Sequence, residues 1–134
     1  MTVCYLGIGT NVGNRYKNIT RSLKKVNRLK GTHIVKVSGI FRTKPVGGPK
    51  GQKQFFNAAI KIDTTLLPYE LLRRLKEIEQ SMGRKETVRW GPRVIDLDIL
   101  FFGNRRIHSK RLTVPHARVF ARDFVKKPLS EIIW

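Results

Sequence analysis

Acidic residues are scarce in this chain of 134 residues: 9 Asp and Glu stand against 28 Lys and Arg, a formal net charge of +19. Such an excess points to an anionic partner, whether nucleic acid, an anionic membrane surface or a phosphorylated small molecule, without choosing among them. Cysteine is almost missing. The single Cys4 excludes an intramolecular disulfide and a Cys-rich zinc site, and fits a reducing, cytoplasmic setting. Long apolar runs are missing too; the longest, at 99–102, falls far short of the roughly 20 residues of a membrane helix. The opening Met1-Thr2-Val3-Cys4-Tyr5 lacks the basic stretch of a secretory signal. The 11 Gly and 6 Pro are scattered, and no repeat or low-complexity segment appears. No Walker A lysine follows a glycine-rich loop, and there is no His-Glu-x-x-His helix. Gly7-Ile8-Gly9-Thr10-Asn11-Val12-Gly13 misplaces the third glycine of a dinucleotide fingerprint by one position.

What is present reads as one domain over 1–134, with 40% hydrophobic residues to build a core. The β-branched and aromatic segment 3–8 predicts a strand, and Gly7, Gly9 and Gly13 with Asn11 and Asn14 predict a turn-rich loop after it. Ile19, Leu23, Val26 and Leu29 recur at helical spacing and predict a helix over 17–29, closed by Gly31, with a basic outer face. Alternation predicts strands over 34–43, with Val35, Val37, Gly39 and Phe41 on one face, and over 55–63. In the second, Phe56, Ala58, Ile60 and Ile62 oppose Phe55, Asn57, Ala59 and Lys61. Pro68 suits a first helical turn; Leu71, Leu72, Leu75, Ile78 and Met82 mark a helix that Gly83 ends, and Leu67 supplies no cap acceptor. A strand over 94–102 and a short helical piece over 117–125 complete the series. The order β-α-β-β-α-β predicts an α/β (α+β) ferredoxin-like sandwich, two helices on an antiparallel sheet.

Two of the four Asp, Asp96 and Asp98, stand at i and i+2 in one strand, so both carboxylates share a face while Ile95, Leu97 and Ile99 share the other. Adjacent like charges are costly unless a cation neutralises them. The pair is either a solvated strand face or a divalent-metal site; two carboxylates leave most of a Mg2+ shell to water and substrate phosphates. Arg84, Lys85, Arg89 and Arg93 lie within a loop's reach, with Trp90 among them. Guanidinium forks suit phosphate oxygens, although a solvated basic loop reads the same way. Phe55 and Asn57 share a strand face and either clamp and read a flat heterocycle or lie beneath another layer. His116, six residues before Arg122, is either structural or a phosphate ligand.

Arg89-Trp90-Gly91-Pro92-Arg93-Val94-Ile95-Asp96-Leu97-Asp98-Ile99-Leu100 resembles the signature of the 6-hydroxymethyl-7,8-dihydropterin pyrophosphokinase family. The resemblance extends to the opening strand and loop from Tyr5 to Asn14, to Arg42-Thr43-Lys44-Pro45-Val46-Gly47, to Phe55-Phe56-Asn57-Ala58-Ala59, and to Leu112-Thr113-Val114-Pro115-His116 and Arg122-Asp123-Phe124-Val125. It implies a ferredoxin-like fold and transfer of the β,γ-pyrophosphoryl unit of ATP to the pterin hydroxymethyl group, releasing AMP, in folate biosynthesis. It further implies two Mg2+ held by Asp96 and Asp98, with Arg84 and Arg93 assisting transfer. Glu79, Arg93, Ile99, Arg111, Thr113, His116 and Arg122 fall at its ATP positions. Thr43, Pro45, Val46, Phe55, Asn57, Trp90, Asp96 and Phe124 fall around its pterin, with Phe55 and Phe124 stacking on the ring. Phe55 stands where many members carry Tyr, Lys44 where many are small or apolar, and Lys76 where Gln is frequent. The implied partners are two small-molecule substrates, with no membrane and no specific nucleic acid; a monomer is expected because no long apolar surface stripe appears, and a cytoplasmic setting because of the single cysteine.

The competing expectation is a basic nucleic-acid-binding module on the same fold, drawn from the +19 charge and aromatics on a sheet. It leaves the two adjacent acids unexplained.

Overall fold

Alternating buried residues run along the first strand, β1 (Thr2–Thr10), in a computed structural model that describes residues 1–45, 47–84, 91–119 and 121–133. It is followed by α1 (Arg15–Asn27), β2 (Thr32–Val37), β3 (Phe41–Thr43), β4 (Phe55–Thr64), α2 (Pro68–Ser81), β5 (Asp96–Phe102), β6 (Ile107–His108), β7 (Thr113–Val114) and α3 (Asp123–Ser130). The main sheet has the order β2-β4-β1-β5, with β3 also paired to β4, and each of its pairings is antiparallel. β6 and β7 form a separate two-stranded ribbon. The chain is thus a mixed α/β fold with an antiparallel sheet.

Period two sorts the strand residues into two cores. Leu6, Ile8, Ile60, Ile62, Leu97 and Ile99 pack with Ile19 and Val26 of α1 and Leu71, Leu75 and Ile78 of α2. Ala59 and Leu100, on the opposite face, pack with Val119, Leu129 and Ile132. Leu71 and Leu75 are fully buried, so truncating either to Ala costs about 2–5 kcal/mol. The two-helix expectation therefore holds for one face only; α3 packs on β1, β3 and β4 across the other.

Several boundaries differ from the sequence reading. β1 runs on through Gly7 and Gly9 to Thr10, where the sequence predicts a turn-rich loop, because both glycines pair in the sheet. α1 begins at Arg15 because the Asn14 side chain accepts the Lys17 N–H at 3.0 Å, an N-cap not read from the sequence. The strand expected over 34–43 is two strands. Between the Val37–Ile60 and Phe41–Asn57 pairs it advances four residues against three, so one residue bulges. Ser38 secures this break, its N–H donating to the Ala59 carbonyl (2.9 Å) and its hydroxyl accepting the Ala59 N–H (2.8 Å). A second register shift falls between Ile34 and Lys36, and Val35 and Val37 lie exposed on the sheet edge. β5 starts at Asp96, two residues later than expected. The C-terminal helix spans Asp123–Ser130 rather than 117–125; Pro128 inside it masks the helical pattern. α2 lacks a side-chain cap at Leu67, as expected, and Glu70 compensates by accepting the Leu67 N–H at 3.1 Å.

Candidate active site

Sheet register places the chemistry. In β1 the spacing Gly7, Gly9 matches Asp98, Asp96 on β5, and each glycine sits directly opposite an aspartate. On the other side Gly9 faces Asn57 and Gly7 faces Ala59 of β4. Asn57, Gly9 and Asp96 thus form one row across three strands, and Ala59, Gly7 and Asp98 the next. The glycines leave the middle of both rows without side chains, and a hollow opens above them. A Cβ at Gly9 would come within 3.3 Å of Asn57 Oδ1 and 4.0 Å of Asp96 Cβ.

This hollow is a cavity of about 260 Å³, walled also by Thr43, Phe55, Arg93, Arg122 and Phe124. Phe55 enters from β4 and Phe124 from α3, so two rings border the space above the glycine floor. Asn57 is buried, and its Nδ2 donates to Thr43 Oγ1 at 2.7 Å, which fixes the amide and turns its carbonyl oxygen away from Thr43. α3 covers the neighbouring sheet surface, so this face is not the open aromatic platform that RNA binding on such a sheet uses.

The carboxylates adjoin a second groove lined by Leu72, Lys76, Glu79, Ile99, Arg111 and Thr113, among others. Asp96, Asp98 and His116 line both hollows and so form their junction. Burial first, then the Asp96 and Glu79 carboxylates, push the Asp98 carboxyl up to about 8. Arg84 Nη1 donates to Asp96 Oδ1 at 2.9 Å and lies 2.7 Å from Glu79 Oε2. The same Glu79 oxygen accepts the Leu97 N–H at 2.8 Å. Burial raises the Glu79 pKa above its ordinary value, opposed by that Leu97 bond and by Arg84. His116 Nδ1 accepts the Arg118 N–H at 3.1 Å. Its pKa is lowered, by burial and then by Arg118, so the ring is neutral near pH 7 with its proton on Nε2.

Of the residues singled out in the sequence, Thr43, Phe55, Asn57, Arg93, Asp96, Asp98, His116, Arg122 and Phe124 meet around the first cavity. Glu79, Arg84, Ile99, Arg111 and Thr113 line the second hollow. Pro45 is half-buried just beyond β3. Val46, Lys85, Arg89 and Trp90 lie outside the described residues. Arg111 packs over the Tyr69 ring, 5.3 Å from its centroid.

Sequence reading missed Gly7 and Gly9 as the floor, Arg118 beside His116, and Asn11. Asn11 lies just past β1, and its Oδ1 accepts the Arg93 N–H at 2.8 Å. Its Nδ2 donates to Gln52 Oε1 (3.1 Å) and the Lys53 carbonyl (3.2 Å), while its own N–H donates to the Arg93 carbonyl (3.0 Å). One amide thereby ties the 44–54 loop to the segment carrying Arg93. The only signal was a buried-strand end running into Thr-Asn.

Cations alone would serve any anion. Paired carboxylates among them require a cation between protein and phosphate, which is the arrangement of a kinase-type transferase. The sequence model of 7,8-dihydro-6-hydroxymethylpterin-pyrophosphokinase (HPPK) matches residues 5–134. The 2-amino-4-hydroxy-6-hydroxymethyldihydropteridine pyrophosphokinase of Bacillus subtilis is 42% identical over 130 residues, 97% of this chain and 77% of that protein. Its namesake in Haemophilus influenzae is 41% identical over 132 residues, 98% and 82% respectively. A mitochondrial folate synthesis bifunctional protein of Pisum sativum is 44% identical over 128 residues, 96% of this chain but 24% of its own length. A solved structure described as HPPK-DHPS in complex with substrates superposes with a TM-score of 0.69 at 17% identity, covering 98% of this chain and 40% of that one. The chain belongs to the HPPK family. It is an enzyme of folate biosynthesis that transfers pyrophosphate from ATP to 6-hydroxymethyl-7,8-dihydropterin. No helix among the described residues is long and apolar enough to cross a membrane.

Proposed function

We propose that the glycine-floored cavity takes the pterin, the adjoining groove takes ATP, and Asp96 and Asp98 act at the junction. The Asn57–Gly9–Asp96 row carries this reading, because it sets a fixed amide, a flat floor and a carboxylate in one line. Phe55 and Phe124 stack on the two faces of the ring, Asn57 and Thr43 read its polar edge, and Pro45 lies beside them; Val46 and Trp90, outside the described residues, are pterin residues by the family resemblance alone. Glu79, Ile99, Arg111 and Thr113 border the nucleotide, while Arg84, Arg93, His116 Nε2–H and Arg122 face the polyphosphate.

The donor set fits a hard divalent cation. Asp96 and Asp98 present adjacent carboxylates, and burial with like-charge crowding leaves Asp98 short of compensation. Among the described residues no third His, Cys, Asp or Glu is placed to share a metal ion with them, so water and substrate phosphates would complete the shell. Two Mg2+ held there supply charge neutralisation for the phosphates and a lowered pKa for the substrate hydroxyl.

The chain's own residues position the reaction. Stacking and the Asn57 amide hold the hydroxymethyl oxygen in line with the β-phosphorus. The oxygen–phosphorus bond forms as the α,β bridge breaks, AMP leaves, and the hydroxyl proton passes to Asp96. Arg84, Arg93 and Arg122 stabilise the charge spread over the transferring unit.

We further read the fold as ferredoxin-like, a single domain over 1–134 working as a cytoplasmic monomer. The sheet order β2-β4-β1-β5 around two helices supports the topology, with β3, the β6–β7 ribbon and α3 as additions. Asp98→Ala tests the site: turnover, followed as AMP release, should fall at least a thousandfold while ATP still binds. Retained AMP release in that variant removes the metal role of Asp98.

A further inference from the structure

Three carboxylates crowd the junction in a chain that carries only 9 acids, and one guanidinium compensates two of them. Arg84 does not grip either acid with a two-pronged fork. A single nitrogen, Nη1, is shared between Asp96 Oδ1 at 2.9 Å and Glu79 Oε2 at 2.7 Å. The two acids differ in what holds them. Glu79 sits on α2, 7% exposed, locked in place by the Leu97 N–H. Asp96 is more open, with a side-chain exposure of 35%, and borders both hollows. A guanidinium shared by one fixed and one accessible acid can slide from the second to the first without losing its charge partner.

We propose that Arg84 is the resident counter-ion of Asp96 and passes to Glu79 alone when a divalent cation arrives. The proposal rests on the reading of Asp96 and Asp98 as metal ligands. A hard cation binds carboxylate oxygen at about 2.0–2.6 Å, and a guanidinium on the same Oδ1 would be a second positive charge within about 4 Å. The two occupants exclude each other. Glu79 is then a positioning residue: it keeps the released guanidinium at the rim of the groove that takes polyphosphate, so that Arg84 is not lost to solvent. This assigns a role to a buried carboxylate that already spends one oxygen on the Leu97 N–H and Arg84.

The test follows Arg84 directly. With 15N-labelled arginine, the Arg84 side-chain N–H signals, identified by their loss in Arg84→Met, should be restrained in the metal-free protein. Mg2+ should shift them to a second restrained position in the wild type, and to a freely averaging one in Glu79→Gln, which retains an oxygen for the Leu97 N–H. In parallel, calorimetry with Mn2+ alone should find binding about tenfold tighter in Arg84→Met than in the wild type, the scale of one charge-assisted contact released. Arg122→Met removes the same charge from the other side of the junction, where it walls the first cavity, and should change Mn2+ affinity less than threefold. If Arg84→Met and Arg122→Met tighten equally, or if Arg84 signals do not move at saturating Mg2+, the exchange is refuted while the metal site stands. If neither the wild type nor Arg84→Met binds Mn2+, the metal reading of Asp96 and Asp98 falls, and this inference with it.

Discussion

Replacing Gly9 with Ala separates stability from binding more sharply than any loss-of-contact substitution at this site. Gly9 lies inside β1 and its φ is not in the left-handed region, so Ala fits the backbone. Removing a mid-strand glycine reduces the entropy of the unfolded chain and stabilises by roughly 0.5–1 kcal/mol. The new Cβ meets Asn57 Oδ1 at 3.3 Å and Phe55 Cδ1 at 3.8 Å, a tight contact that returns only part of that gain. The melting temperature should therefore hold or rise by up to roughly 4 °C. The methyl group, however, projects from the cavity floor between Asn57 and Asp96. Overpacking a tight site by one methyl costs about 1–3 kcal/mol, equivalent to about a 5- to 150-fold rise in KM for the pterin. KM for ATP, which occupies the other groove, should change less than threefold. Thermal melts and steady-state AMP release with each substrate varied in turn measure both arms. A destabilised variant with unchanged pterin KM would refute the glycine floor.

Other consequences follow from the same geometry. Asn57→Ala removes the amide oriented by Thr43 and should raise pterin KM by about 10- to 100-fold, with kcat reduced less, in the same assay. Asn11→Ala unties Arg93, Gln52 and Lys53 at once and should lower stability by about 2–4 kcal/mol in urea melts, with a loss of ATP affinity. Because the folded-state pKa of Asp98 is raised from 3.8 to about 8, this group favours the folded state below pH 4 and loses that contribution as pH climbs towards 8. Metal-free Asp98→Asn should thus lose less stability than the wild type between pH 5 and 8 in EDTA, and a steeper loss would reverse the assigned sign. Neutralising the outer face of α1 with Arg21→Gln, Lys24→Gln and Arg28→Gln together should leave kcat/KM within twofold, since these exposed cations lie away from both hollows.

Local patterns carried far into the sequence reading. Period two alone put Asp96 and Asp98 on one face and Leu97 and Ile99 on the other, and both acids border the cavity while both apolar residues lie in the core. Helical spacing marked the buried faces of α1 and α2. What stayed hidden depends on partners distant in the chain. The glycines of β1 read as turn formers until the register set Gly7 opposite Asp98 and Gly9 opposite Asp96. Asn11 finds Arg93 some eighty residues away, a contact that no local pattern records. The break between β2 and β3 needs the Ser38 hydroxyl on the Ala59 N–H, and Pro128 hid α3 by interrupting its pattern. The +19 charge, the most conspicuous feature of the composition, located nothing, because most of those cations lie on solvated faces such as that of α1.

The most direct test of the account is anomalous scattering from crystals grown with Mn2+, the pterin and an ATP analogue whose α,β bridge is a methylene group. Mn2+ should lie within about 2.0–2.4 Å of carboxylate oxygens of both Asp96 and Asp98, between the phosphates and the pterin hydroxymethyl oxygen, with Arg84 on Glu79. Mn2+ held by phosphate and water alone, with Arg84 still bonded to Asp96, would contradict it.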